Sequence, residues 1–148
     1  MNIRKTKSIL FNNNTQEKVR IDHFLRIFEI VIHGESLHPD SFVNLTLSED
    51  GSIKKLNKKY LARDEITDVI SFTADIPGVN FLGDIIIDTY VARQQKESRT
   101  LIEELQILFL HGLLHCLDYD HLSVEGKKLM CYKEDMYLKK FTGEDIKS

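Results

Sequence analysis

The cleanest polarity pattern in the chain is at residues 42–48, where Val43, Leu45 and Leu47 alternate with Phe42, Asn44 and Thr46. A period of two puts the two sets on opposite sides of a strand and gives it one apolar face. Upstream, Ser8-Ile9-Leu10-Phe11 predicts a short strand, closed by the turn-forming Asn12-Asn13-Asn14. The period then lengthens. Val19, Ile21, Phe24, Leu25, Ile27, Phe28, Val31 and Ile32 recur at three and four, which predicts a helix to about Ile32, capped by Thr15. His33-Gly34 is the expected stop, because glycine accepts the left-handed conformation past a helix end.

Further on, the pattern predicts a short helix over about 52–61, with Ile53, Leu56 and Tyr60 on one side, then strands at 67–73 and 83–88 and a polar helix over roughly 89–97. Thr100 and Glu103 form a capping box, S/T-x-x-E, opening a helix that contains the apolar run Ile107-Leu108-Phe109-Leu110. Ser123 is the expected cap of a last helix over about 124–140, with Leu129, Met130, Met136, Tyr137 and Phe141 apolar. The interleaved order, in a chain too short for a barrel, predicts an α+β fold: a four-stranded mixed sheet covered mainly on one face by helices.

Composition narrows the class. At 148 residues, 42% hydrophobic and 29% charged, the chain is expected to be one globular domain, 1–148. A net charge of −3 excludes a generic polyanion binder, so any nucleic-acid contact needs a local basic patch or a bound cation. Cys116 and Cys131 form no C-x-x-C pair or disulfide framework, which suits a reducing cytoplasm. The polar N-terminus lacks a signal-peptide apolar core, and no run is long enough to span a membrane.

The chemistry concentrates at His111-Gly112-Leu113-Leu114-His115-Cys116-Leu117-Asp118-Tyr119-Asp120-His121. Residues four apart on a helix lie about 40° apart around the axis and about 5–6 Å apart at Cβ, so His111 and His115 share a face. A single histidine there is ordinarily a satisfied core or surface residue. Two in an apolar helix would each cost roughly 1–3 kcal/mol if left unpartnered, and Asp118-Tyr119-Asp120 can turn His121 back over the pair. Three imidazoles with one position open make a catalytic rather than a structural metal site, with zinc the default and nickel, copper or cobalt compatible. Cys116 points about 100° away and is expected in the core. The spacing also looks like that of metzincin proteases, but the residue after their first histidine is the glutamate base, and here it is Gly112.

A second segment runs from Leu56 to Phe72. Lys54, Lys55, Lys58 and Lys59 form a basic cluster, and Arg63 falls between helix and strand, where its guanidinium could fork onto phosphate oxygens. Thr67, Asp68 and Ser71 could line a cleft or merely cap and turn.

Together, His111-Gly112-x-Leu114-His115 with Tyr119-Asp120-His121, Asn57-x-x-Tyr60, Asp64-x-x-Thr67-Asp68-Val69-x-Ser71-Phe72 and Gly83-Asp84-Ile85 resemble the YbeY family of bacterial metal-dependent endoribonucleases. The resemblance implies an α+β fold with zinc on His111, His115 and His121. It implies cleavage of single-stranded RNA, maturation of the 3′ end of small-subunit (16S) rRNA, and ribosome quality control. The pattern departs at two positions. The family's arginine after the aromatic is Leu61, which makes Arg63 the candidate catalytic residue, and a usual glycine is Asp118, a residue that tolerates the left-handed region.

The resulting expectation is a cytoplasmic, zinc-dependent endoribonuclease with Lys55, Lys58 and Lys59 on the RNA. Its partners would be rRNA, the small ribosomal subunit and assembly factors, with no membrane and no DNA. Two other classes stay open: a non-catalytic assembly factor with structural zinc, and a zinc peptidase.

Overall fold

A computed structural model of the chain describes residues 2–5, 8–49, 69–74, 76–120 and 122–143. The alternating segment forms a central strand, β3 (Phe42–Ser48). Val43, Leu45 and Leu47 are fully buried, and Asn44 and Thr46 are half-buried on the other side. The described sheet has five strands in the order β1-β2-β3-β5-β4, one more than the sequence pattern predicts. The four expected strands are β2 (Ile9–Asn13), β3, β4 (Val69–Thr73) and β5 (Phe81–Asp88). The additional one, β1 (Asn2–Lys5), pairs antiparallel with β2. Its Asn-Ile-Arg-Lys sequence has no apolar face to reveal it; backbone pairing along the edge of β2 defines the strand. β3 is parallel to both β2 and β5, and β4 is antiparallel to β5, so the sheet is mixed.

The first helix begins later than the apolar period suggests. Asn13 organises the segment ahead of it. Its Oδ1 accepts from the Thr15 N–H at 3.0 Å and the Thr15 hydroxyl at 2.6 Å, and its Nδ2 donates to the Glu17 carbonyl at 3.0 Å. The Thr15 hydroxyl, expected as a helix cap, accepts the Glu17 N–H within this turn. Val19 and Ile21 are buried without being helical, and α1 runs Asp22–Gly34. α1 ends at Gly34 as expected, but the glycine is required by packing rather than by a left-handed turn: a Cβ there would lie 2.6 Å from Tyr137 Cε1 and Oη. The left-handed residue is Ser36, two positions on (φ 53°).

Three more described helices follow: α2 (Thr89–Gln95), α3 (Leu101–Cys116) and α4 (Val124–Thr142). Asp88 caps α2 by accepting from Tyr90 and Val91 N–H. The expected Thr100–Glu103 capping box opens α3, and Ser123 caps α4 through the Gly126 N–H. α3 is apolar around most of its circumference and touches β4, β5 and the other three described helices. The core joins one sheet face (Ile9, Phe11, Val43, Leu45, Leu47, Ile85, Ile87) to Phe24 and Ile27 of α1 and Leu105, Phe109 and Leu113 of α3. Phe24 links the layers, with ring centroids 5.8 Å from Phe11 and 5.3 Å from Phe109. Burying each such side chain contributes about 1.5–3 kcal/mol. Among the described residues the helices thus cover one sheet face, as expected, and no described helix is long and apolar enough to cross a membrane.

One polar cluster sits among the helices. Glu35, just past α1, accepts from the Tyr119 hydroxyl at 2.5 Å, from Lys133 Nζ at 2.9 Å and from the Tyr137 hydroxyl. Burial acts to raise the Glu35 pKa, but these hydrogen bonds and the Lys133 charge outweigh it and hold the carboxyl below its usual range. Burial and Glu35 push both phenols up. At neutral pH the cluster is therefore an ionised carboxylate receiving two neutral hydroxyls and an ammonium.

Candidate metal centre

The end of α3 carries the first two histidines. Leu110, Leu113 and Leu114 are turned into the core, which leaves His111 and His115 half-buried on the remaining face. The two rings meet edge to face, with centroids 4.7 Å apart and planes at 75°. Their Nε2 atoms are 3.1 Å apart. Two nitrogens bound to one tetrahedral ion at about 2.0–2.1 Å would sit about 3.3 Å apart, so the bite differs from that of a metal pair by a few tenths of an ångström.

The other nitrogen of His111, Nδ1, is 2.7 Å from Glu134 Oε1 on α4. A carboxylate accepts only, so Nδ1 donates to it, and in the neutral ring that tautomer leaves the Nε2 lone pair on the side of His115. Metal-bound histidines commonly have this outer carboxylate, which fixes tautomer and ring orientation. Sequence reasoning missed Glu134. A signal was available: Met130, Glu134 and Tyr137 fall at i, i+4, i+7, so an acid interrupts the inward stripe of an amphipathic helix.

The helix stops sharply after the pair. Asp118 N–H donates to the His115 carbonyl at 3.0 Å and Tyr119 N–H to the Leu114 carbonyl at 3.1 Å, the two bonds of a Schellman ending. Asp118 holds the left-handed position itself (φ 70°), so the turn forms without glycine. The turn closes at Tyr119, two residues before His121. On the β4 side the Thr73 hydroxyl donates to the His115 carbonyl at 3.3 Å.

Gly112 is buried against the sheet. A Cβ there would lie 2.8 Å from Ile85 Cγ2 and 3.4 Å from Val69 Cγ2. The position at which metzincins carry their general base is occupied here by a glycine packed tightly against β5 and β4.

Cys116 is buried, as expected, and both cysteines are free. Burial, with Asp84 and Asp118 adding to it, pushes the Cys116 thiol up to about 12. A thiol-specific reagent at pH 8 should therefore modify one cysteine in the folded protein, the exposed Cys131, and both after denaturation. Equal native labelling of Cys116, read by peptide mass spectrometry, would contradict this packing.

The structure thus brings together His111 and His115 and adds Glu134. Among the described residues no third ligand-type side chain completes the set. His121 lies outside them, as do Lys55, Lys58, Lys59, Arg63, Leu61, Thr67 and Asp68. Ser71 is on the β4 face that carries Val69, half-buried in register with Ile85.

Comparison with known proteins agrees with the motif. The profile described as endoribonuclease YbeY matches residues 9–142. A protein named endoribonuclease YbeY from Staphylococcus epidermidis is 40% identical over 119 residues, covering 72% of this chain and 77% of that one. Its counterpart from Lysinibacillus sphaericus is 35% identical over 150 residues, covering 90% and 95%. The solution structure of a Thermotoga maritima protein superposes with a TM-score of 0.60 over 92% of this chain and 90% of that one; at 24% identity it supports the fold alone. The histidine run, the mixed sheet beneath it and relatives matched over most of their length lead to one assignment: this chain belongs to the YbeY endoribonuclease family.

Proposed function

We propose that the protein is a metal-dependent endoribonuclease that cleaves single-stranded RNA, in the cytoplasm, during maturation of the 3′ end of small-subunit rRNA and in ribosome quality control. The observation that carries the reading is the 3.1 Å approach of the His111 and His115 Nε2 atoms, with the far nitrogen of His111 held by Glu134. Family membership supplies the class of substrate.

His111 and His115 would hold the ion through Nε2, with His121 as third ligand, and zinc suits three imidazoles best. Bound there with a position open, it would polarise a phosphoryl oxygen and lower the pKa of a coordinated water toward about 7. Glu134 keeps the His111 proton on Nδ1, so that Nε2 remains a donor of electrons. Arg63, with Lys55, Lys58 and Lys59, would hold the RNA backbone and offset charge developing on the phosphate. The partners expected are rRNA and the small ribosomal subunit with its assembly factors. Gly112, packed against Ile85, supplies no base after the first histidine, so the peptidase alternative would need a base from outside the histidine run.

Glu134→Ala should weaken zinc binding by about 10–100-fold, read by competition with a chromogenic chelator; an unchanged affinity would remove Glu134 from the site. Arg63→Ala should slow cleavage of a single-stranded RNA while leaving zinc content intact. Normal cleavage by that variant would dismiss Arg63. Co-sedimentation with small subunits but no cleavage by the zinc-loaded wild type would favour the assembly-factor reading.

A further inference from the structure

We propose that Glu35, far from the histidine run in sequence, is a positioning residue for it, setting both the turn toward His121 and the helix turn that presents Glu134. The inference rests on the metal reading of that site. Tyr119 closes the Schellman ending of α3 and stands two residues before His121, and Glu35 Oε1 holds its hydroxyl at 2.5 Å. Lys133 directly precedes Glu134, and its ammonium reaches Glu35 Oε2 at 2.9 Å. Lys133 Nζ also lies 5.8 Å from the centre of the Tyr119 ring, so the three side chains touch one another.

Glu35 itself belongs to neither element. It follows α1, which is fixed in the core by Phe24, Ile27, Phe28 and Val31. One carboxylate on a rigid anchor therefore fastens the segment leading to the third imidazole and the helix turn whose acid orients the first. The side chains of Glu35 and Lys133 are only 11% and 22% exposed, so solvent screens their attraction weakly. Gly34 completes the device, since any side chain there would strike Tyr137, whose hydroxyl also donates to Glu35. Positions supporting a metal's ligands typically change its affinity by about 10–100-fold when lost.

The test compares zinc affinity, by chelator competition on the full chain, with thermal stability. Tyr119→Phe removes one hydroxyl from a half-buried ring, and Glu35→Gln removes the charge. Val43→Ala serves as a comparator, loosening the buried sheet away from the cluster. Tyr119→Phe and Glu35→Gln should each weaken zinc binding by about tenfold. Val43→Ala should lower Tm while leaving zinc affinity within about twofold. If Glu35→Gln does not fold, Tyr119→Phe alone decides. Tyr119→Phe with wild-type zinc affinity would overturn the proposal, and so would a loss of affinity in Val43→Ala as large as that in Tyr119→Phe. A wild-type protein that takes up no zinc would instead sink the metal reading on which the proposal stands.

Discussion

His115→Ala is expected to lose stoichiometric metal and to cut RNA cleavage by at least about a hundredfold, the upper end of what losing a mere supporting residue costs. The reason is geometric. The His115 Nε2 is half of the 3.1 Å bite, and nothing else on the described face of α3 can supply a nitrogen there. The fold should survive. The substitution removes a half-buried ring from the last turn of a helix, where alanine is the most favourable residue, and it leaves the His111–Glu134 contact intact. Elemental analysis and a cleavage assay on the same preparation separate the account from its rivals. A variant that keeps its metal would place the site elsewhere, and one that loses metal but cleaves normally would make the ion structural.

Gly112→Glu is the second large effect. It would install the glutamate that the metzincin pattern has after its first histidine, and it should prevent folding. The Cβ alone would stand 2.8 Å from Ile85 Cγ2. Overpacking of this kind costs about 1–3 kcal/mol, and burying an unpaired carboxylate adds several more. Gly112→Ala should be milder, because about 0.8–1 kcal/mol of helix propensity offsets the clash. Each net kcal/mol would lower Tm by about 2–4 °C. Thermal melts by circular dichroism decide it. A folded Gly112→Glu with wild-type Tm would mean that α3 does not lie against β5 at this residue, and it would reopen the peptidase comparison.

The parts of this molecule that could be read in its sequence are those governed by local rules. The alternation of β3, the Thr100–Glu103 box and the Ser123 cap each involve neighbours a few residues apart, and each appears where expected. The histidine pair was readable for the same reason, because helix geometry converts a spacing of four into a shared face. The errors arose where a nearby side chain offered the backbone another partner, or where the partner lies far away in the chain. Asn13 captured Thr15 and delayed α1 to Asp22. β1 has little apolar signal of its own and is defined by pairing with β2. Glu134 left a trace as an acid in the inward stripe of α4, but its partner, and those of Glu35, lie 23 and 84 to 102 residues away, so spacing names neither contact. Gly34 and Gly112 were visible as glycines, but their reason is the close approach of Tyr137 and Ile85, which only the packed fold supplies.

The central claim is that the ion held by the histidine run is the one RNA cleavage needs. The direct measurement is a reconstitution titration: strip the wild-type protein with a chelator, then follow cleavage of a single-stranded RNA as zinc is added. The account predicts no cleavage by the stripped protein, recovery that saturates at one equivalent, and no recovery for His115→Ala. Full cleavage by the stripped protein, or equal recovery by His115→Ala, would contradict it.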